Sequence, residues 1–241
     1  MTTSIDLLVH GASGRMGQRL LALSGEFARL NLVAAVARGT AGLVVPDGVA
    51  LPAMRLSEAP AFRLLIDFSL PEAFDNALAL ALERRAAFVS GTTGLSLAQL
   101  KALEAASRQI PVLWAANFSL GVAVLSDLVE RAARALPGWD LDIVESHHVH
   151  KQDAPSGTAL ALGASAKTGG ADPRYASLRA GDIVGEHWLQ FAGQGERVEL
   201  AHRATSRDIF ARGALAVGEW VAGQRPGHYT MRDWVAAHAK G

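Results

Sequence analysis

Residues 5–17 read IDLLVHGASGRMG, a short apolar run that leads into three evenly spaced glycines. The run predicts a buried strand, and the glycines predict a tight turn into a helix. Gly11 allows the turn, Gly14 lets backbone approach a pyrophosphate, and Gly17 permits close helix packing. The spacing G-x-x-G-x-x-G is one residue longer than the common dinucleotide fingerprint. The stretch therefore predicts nucleotide binding, with an ordinary strand-to-helix turn as the alternative.

The rest of the first half repeats this rhythm of short apolar runs and longer amphipathic segments. Pro71 suits a first helical turn, where a missing N–H costs nothing. Apolar runs of this kind are typical of a parallel sheet covered on both faces. The predicted strands are residues 5–9, 32–36, 64–68, 86–90 and 111–114, and the predicted helices include 71–85 and 96–108. The first half is thus predicted to be a Rossmann-like, doubly wound α/β domain.

The pattern changes after Asn117. Alternating polar and apolar residues predict antiparallel strands, and the stretch from Asp208 is helical again. The predicted elements are helices at 119–136 and 156–167 and strands at 140–148, 182–191 and 196–203. We expect a second, α+β unit with a mostly antiparallel sheet.

Composition excludes several classes of protein. The chain has 241 residues, half of them apolar, and its 23 basic and 23 acidic side chains cancel. No global field therefore favours nucleic acid or an anionic membrane. The absence of cysteine excludes disulfides and thiol chemistry. The first eight residues, MTTSIDLL, lack the features of a signal peptide, and no apolar run approaches a membrane span, so we expect a cytoplasmic protein.

Two features extend the predicted nucleotide site. The second strand ends Val36-Ala37-Arg38, where the fingerprint expects an acid for the ribose hydroxyls. Alanine cannot accept those hydrogen bonds, whereas the Arg38 guanidinium can pair with a 2′-phosphate, so NADPH is the favoured cofactor and NADH a possible one. The loops at 91–94 and 115–119 follow strands at the same edge and could line a nicotinamide pocket.

Residues 144–159 read VESHHVHKQDAPSGTA and allow three interpretations. His148, His150 and perhaps Asp153 could bind a metal, but on a strand His147 faces the other side. Ser156 could be a nucleophile, but it lacks the G-x-S-x-G elbow. The third interpretation is an anion pocket at a helix N-terminus.

In that pocket Ser156-Gly157-Thr158 supplies hydroxyl and backbone N–H groups for a carboxylate. Lys151 adds a cation, and His147 or His148 adds a proton donor near neutral pH. A basic pocket that serves a reduced nicotinamide favours hydride delivery to a carbon–nitrogen double bond in an acidic substrate.

The chain resembles the 4-hydroxy-tetrahydrodipicolinate reductase (dihydrodipicolinate reductase) family over nearly its whole length. The motifs that carry the resemblance are GASGRMG (11–17), DFSLPE (67–72), SGTTG (90–94), AANFSLGV (115–122), ESHHVHKQDAPSGTA (145–159) and RAGDIVGEH (179–187). The resemblance implies NAD(P)H-dependent conversion of 4-hydroxy-tetrahydrodipicolinate to tetrahydrodipicolinate in diaminopimelate and lysine biosynthesis. It also implies a homotetramer joined through its second domains. Hydride transfer that relies on His147, Lys151 and the anion pocket calls for no Lewis acid, so we expect a mechanism without metal.

The resemblance also assigns roles to individual residues. His147 matches the family's proton donor and acceptor, and Lys151 its second donor. His148, Gly157 and Thr158 match substrate contacts, to which the anion-pocket argument adds Ser156. The cofactor positions are Gly11, Ala12, Ser13, Gly14, Arg15, Met16, Arg38, Gly91, Thr92, Thr93, Ala115, Ala116, Asn117 and Phe118. Residues 1–118 and 208–241 would form the dinucleotide-binding domain, and 119–207 the substrate-binding and oligomerisation domain.

Three departures from the family pattern are visible. Ala37 stands where many members have an acid, the segment between Lys167 and Arg179 is short, and the tail at 227–231 matches loosely. None of them affects the expected proton donors. Two other functions remain alternatives: a paralogous imine or aldehyde reductase, and a dinucleotide-sensing protein that has lost turnover.

Overall fold

The computed structural model describes residues 4–38 and 55–239, so residues 1–3 of the MTTSIDLL segment lie outside it. The chain divides into two compact units, one formed by Met1–Phe118 with Phe210–Gly241 and the other by Ser119–Ile209. Within the described ranges, no helix has the length and apolar character that crossing a membrane would require.

Helices and strands alternate along most of the chain. The helices are α1 (Arg15–Ser24), α2 (Pro71–Arg84), α3 (Leu97–Ala106), α4 (Leu120–Ala135), α5 (Gly157–Thr168), α6 (Asp208–Val221) and α7 (Met231–His238). The strands are β1 (Ile5–His10), β2 (Leu30–Val36), β3 (Leu64–Asp67), β4 (Ala87–Ser90), β5 (Pro111–Trp114), β6 (Asp140–His147), β7 (Pro173–Arg179), β8 (Gly185–Gly193), β9 (Glu196–Ala204) and β10 (Gly227–Tyr229).

The first unit contains a parallel sheet in the order β10-β5-β4-β3-β1-β2. Its central strands are buried because helices cover both faces, and Leu8, Leu65 and Phe88 lie in one apolar core with Phe74 of α2. β1 pairs with β2 on one side and with β3 on the other. In such sheets the ligand binds where the strand order reverses, here at the carboxyl ends of β1 and β3. The predicted doubly wound domain is confirmed.

The second unit contains a four-stranded sheet in the order β7-β6-β8-β9. Two of its pairings are antiparallel and the pairing of β6 with β7 is parallel, which agrees with the prediction of a mostly antiparallel sheet. One face packs against α4 and α5 in a core that includes Leu125, Ile143, Leu162 and Phe191.

Two strands were not predicted from the sequence. β7 (PRYASLR) begins with proline and alternates between exposed and half-buried residues at a sheet edge, so it gives no apolar run. β10 has only three residues and interrupts the stretch that was predicted as helical from Asp208. β10 joins the first sheet beside β5. A three-residue strand such as β10 carries too little periodicity to be distinguished from a loop.

Gly17 tests the close packing of α1 on the glycine turn. A Cβ there would lie 2.2 Å from the Gly11 carbonyl oxygen and 2.6 Å from the Ala12 Cα, both of them backbone atoms. We expect Gly17→Ala to lower the free energy of unfolding by about 1–3 kcal/mol in urea titrations, as overpacking does. Gly25→Ala is the control, because a Cβ at Gly25 meets nothing within 4 Å. Equal losses in the two variants would contradict this account.

Candidate functional site

The glycine turn after β1 is shaped to receive a ligand at the start of α1. Gly11 has φ +79°, and a Cβ there would lie 2.4 Å from the Phe68 carbonyl oxygen, so only glycine fits. The N-cap residue of α1, Gly14, has no side-chain cap, which leaves the first-turn N–H groups available to an anion. Ser13 and Arg15 are exposed beside this turn, Met16 is half-buried, and Ala12 is buried.

Two adjoining clefts open at the carboxyl ends of β1, β2 and β3. One has a volume of about 530 Å³ and is lined by Gly11, Ser13 and Gly14. The other, of about 550 Å³, is lined by Arg55 and Leu56. Both clefts share a further set of lining residues: His10, Ala37, Arg38, Ala73 and Asn76. Arg38 therefore lines both clefts, and in one of them Arg55 adds a second guanidinium that the sequence reasoning missed.

The carboxylate of Asp67 organises this edge of the sheet. Its Oδ1 lies 2.8 Å from His10 Nδ1, and its Oδ2 accepts hydrogen bonds of 2.8 Å from the hydroxyls of Ser90 and Thr92. The backbone N–H of Ser69 also donates to it. Burial would raise the pKa of Asp67, but these hydrogen bonds and the nearby His10 outweigh burial and lower it. A buried, ionised carboxylate thus holds the ends of three strands.

The two loops that were predicted to line a nicotinamide pocket pack on one aromatic ring, Phe68. Gly91 leaves room for that ring, because a Cβ there would lie 2.2 Å from Phe68 Cε1. Phe118 contacts the same ring, with centroids 5.4 Å apart. Thr92 is buried and its hydroxyl points inward to Asp67. The exposed positions of the two loops are Thr93, Gly94 and Ala116, with Ala115 and Asn117 half-buried.

In the second unit, Glu145 and His147 lie two residues apart on β6 and therefore face the same side of the sheet. His147 Nδ1 is hydrogen-bonded to Glu145 Oε2. Arg179 of β7 donates to both oxygens of the same carboxylate, at 2.8 and 3.0 Å. The backbone N–H of Ser156, the N-cap of α5, donates to Glu145 Oε1 at 3.3 Å. Glu145 is fully buried, so every one of these donors offsets its desolvation.

The electrostatics fix the protonation of this pair. Burial alone would raise the pKa of Glu145, but hydrogen bonds from Arg179, Ser177 and His147 lower it to about 2. Burial lowers the pKa of His147 by more than Glu145 raises it, and Lys151 and Arg179 lower it further. At neutral pH the imidazole is neutral and donates its Nδ1 proton to a carboxylate that can only accept. Its Nε2 is then a proton acceptor.

Two further histidines lie in line with Glu145 across the sheet, and together with it they form a polar row. His187 of β8 pairs with Glu145 in register, and His202 of β9 pairs with His187. The His187 ring packs edge to face on His147, with centroids 5.4 Å apart. Burial, followed by the charges of His147 and His202, lowers the pKa of His187 to about 4, so it is neutral. His187 Nε2 lies 3.5 Å from the Ser156 hydroxyl. The N-cap residue of α5, Ser156, therefore lies in contact with His187.

At the predicted anion pocket lies a carboxylate of the chain itself, that of Asp153. Lys151 Nζ donates to Asp153 Oδ1 at 2.8 Å. The hydrogen bond from Lys151 lowers the pKa of Asp153, more than desolvation raises it, and the backbone N–H of Gly157 adds to the lowering. A Cβ at Gly157 would meet nothing within 4 Å, so this side of the α5 N-terminus is open. Thr158 is half-buried in the same first turn.

His148 and His150 lie beyond the end of β6, which stops at His147 rather than at the predicted His148. Their rings are 6.2 Å apart, and His148 Nε2 lies 3.3 Å from the Arg207 guanidinium. A guanidinium beside one imidazole and a lysine on Asp153 disfavour a cation at these three groups. Among residues 4–38 and 55–239, no three potential metal ligands come together. The expectation of a metal-free mechanism stays a prediction.

Sequence reasoning missed the residues that support the predicted ones. Glu145 could have been found, because the alternation of a strand places it on the face of His147. Arg179 and His187 become neighbours of Glu145 only through the register of β6 with β7 and β8. No sequence signal marks that register or the pairing of Arg207 with His148.

A glycine-lined cleft at the switch point of a Rossmann-like sheet, followed by a second unit with a buried histidine–glutamate pair, defines a dinucleotide-dependent oxidoreductase. The models for dihydrodipicolinate reductase match residues 5–118 (its N-terminus) and 121–235 (its C-terminus). The chain belongs to the dihydrodipicolinate reductase family.

Individual relatives agree with the family match. The 4-hydroxy-tetrahydrodipicolinate reductase of Stenotrophomonas maltophilia is 63% identical over 96% of this chain and 98% of its own length. That of Xylella fastidiosa is 56% identical over 98% of this chain and 100% of its own length. The dipicolinate-bound dihydrodipicolinate reductase of Paenisporosarcina sp. TG-14 superposes with a TM-score of 0.80 at 21% identity, covering 95% of this chain and 98% of that chain. That structure confirms the fold.

Glu145→Gln tests the stabilising role of the buried carboxylate. Because it leaves Arg179 without a charged partner, we expect unfolding to become easier by about 3 kcal/mol at neutral pH. The folded-state pKa is lowered from an ordinary 4.5 to about 2, so this contribution is complete above pH 4.5 and disappears as the pH falls through 2. Urea titrations from pH 7 to 2.5 should show that the difference in free energy of unfolding between the unaltered protein and the variant becomes smaller below pH 4.5. Glu196→Gln, at an exposed position of β9, should show no such difference.

Proposed function

We propose that this chain converts 4-hydroxy-tetrahydrodipicolinate to tetrahydrodipicolinate in the diaminopimelate route to lysine. The hydroxyl leaves as water, and a hydride from NAD(P)H and a proton are added. The observation that carries the proposal is the neutral His147, fixed by Glu145 on β6, in the same unit as a lysine and an open helix N-terminus. A proton-transfer group and a carboxylate site are what a cyclic imine dicarboxylate requires. Relatives with 56–63% identity bear the name of this reductase.

The two units divide the work. We assign cofactor binding to the domain of residues 1–118 and 208–241, and substrate binding and oligomerisation to residues 119–207. The glycine turn and the clefts fit a dinucleotide, with the pyrophosphate at the start of α1 and the adenosine ribose near Arg38. When bound, the reduced nicotinamide supplies the hydride. The loops at 91–93 and 115–118 are the proposed nicotinamide contacts.

His147 handles the proton. The resting imidazole is neutral, because burial lowers its pKa. A dicarboxylate that enters beside it brings negative charge, which favours the imidazolium and so loads Nε2 with a proton. Glu145 keeps the ring oriented and stabilises the charged form, a positioning role. Protonation of the substrate nitrogen makes its carbon a better hydride acceptor.

The substrate carboxylate displaces Asp153 in this proposal. Lys151 Nζ and the N–H of Gly157 already hold a carboxylate, and Asp153 is exposed enough to swing away. Lys151 is then the second proton donor, and His148, Ser156 and Thr158 complete the substrate contacts. Since Ser156 is buried as the N-cap of α5, its contribution comes through the helix start rather than through a free hydroxyl.

The second sheet also supports a homotetramer. Its face opposite α4 and α5 carries Val144, Leu178 and Trp188, and Val144 pairs directly with Trp188. Leu178 is 55% exposed. Apolar residues on an open sheet face are typical of protein interfaces. The proposal includes a cytoplasmic location, no metal, and no nucleic-acid or membrane partner.

Three variants separate proton donation from binding, in assays that follow nicotinamide absorbance with freshly made substrate. His147→Gln and Lys151→Ala remove groups that matter most as the nitrogen is protonated, so kcat should fall by roughly a hundred- to ten-thousandfold. Thr158→Val removes a carboxylate contact made in ground and transition states alike, so KM should rise more than kcat falls. All three should bind NADPH normally. Near-normal kcat in the first two would refute their assigned roles.

Arg38→Ala tests the cofactor preference. A charge-assisted bond to the 2′-phosphate is worth about 1.5–3 kcal/mol, so the unaltered protein should bind NADPH about ten- to a hundredfold more tightly than NADH. The variant should lose most of that preference while its NADH affinity stays unchanged. Fluorescence titrations with both dinucleotides measure this directly. Equal affinities in the unaltered protein would remove the basis for preferring NADPH.

A further inference from the structure

β1 ends in a buried imidazole at the place where the glycine turn begins. The strand reads IDLLVH, and His10 is the last residue before Gly11. Its residue exposure is only 7%, yet it lines both clefts of the cofactor unit. If the end of this strand served only to pack against the core, an apolar residue would suffice there. An imidazole in the lining of both clefts therefore calls for a chemical explanation.

Asp67 fixes how this ring is turned. The two residues pair directly across β1 and β3, and His10 Nδ1 lies 2.8 Å from Asp67 Oδ1. Asp67 is ionised, as its lowered pKa shows, and a carboxylate can only accept. The proton of the pair therefore lies on Nδ1. Nε2 is the remaining polar atom of the ring, and it has no hydrogen-bond partner among the described residues.

The position of His10 between two recognition features identifies the part of the cofactor it meets. Gly11 and Gly14 of the first cleft form the predicted pyrophosphate turn, and Ala37 and Arg38, at the end of β2, mark the adenosine ribose. His10 lines the same cleft as both pairs. We propose that His10 Nε2 accepts a hydrogen bond from the ribose 3′-hydroxyl in the adenosine diphosphate half of the bound dinucleotide, with Asp67 as its support.

The proposal deepens the proposed function and rests on it, because it assumes that the clefts bind NAD(P)H. It differs from the role of Arg38 in a measurable way. The 2′-phosphate is present only in NADPH, whereas the adenosine diphosphate half is common to NADPH, NADH and ADP-ribose. A contact from His10 must therefore affect all three ligands by the same factor.

Two amide variants separate the two ring nitrogens. His10→Asn places an amide near Nδ1, so it can still donate to Asp67 and keep the buried carboxylate satisfied, but it does not reach the position of Nε2. His10→Gln is longer and places its amide near Nε2. Full-length protein is titrated with NADPH, NADH and ADP-ribose, and apo-protein unfolding midpoints verify that each variant is folded.

We expect His10→Asn to bind all three ligands about tenfold more weakly, and His10→Gln to recover most of the affinity. Unchanged affinity in His10→Asn, or a loss confined to NADPH, would overturn the proposal. Should His10→Asn fail to fold, His10→Phe takes its place and must show the same equal loss. If the unaltered protein binds none of the three ligands, the proposed function itself fails. If the unaltered protein and the His10→Asn variant bind the ligands equally well, only the proposal about His10 fails.

Discussion

The second unit depends on one buried carboxylate. Glu145 has no exposed surface, and an isolated charge there would cost several kcal/mol. It is tolerated because Arg179, His147 and the N–H of Ser156 all donate to it. These donors come from β7, from the end of β6 and from the cap of α5. Satisfying one charge therefore fixes His147, the start of α5 and an edge strand in a single arrangement.

The first unit uses the same device with Asp67. This carboxylate ends β3 and collects hydrogen bonds from His10 at the end of β1 and from Ser90 and Thr92 around the end of β4. Because parallel strands end at one edge, a single acceptor can hold several loops there. Loops are otherwise the least constrained parts of a fold, so the cofactor edge gains its rigidity from this network.

Burial keeps both His147 and His187 neutral at neutral pH. It lowers the pKa of both His147 and His187, so the resting site holds neutral rings beside an ionised Glu145. The nearby cation, Lys151, is paired with Asp153. A neutral His147 can take up a proton when negative charge is brought beside it, whereas a permanently charged histidine could not.

The sequence by itself determined the fold class, the glycine turn and the identity of the histidine–lysine motif, because these rest on local periodicity and on residues adjacent in the chain. It did not determine β7, the Arg179–Glu145 pair or the His10–Asp67 pair. Those contacts depend on which strands become neighbours and in what register, and β6 pairs with β7 although α5 separates the two strands in the chain. Tertiary structure alone decided them, since register is set by burial across the whole sheet.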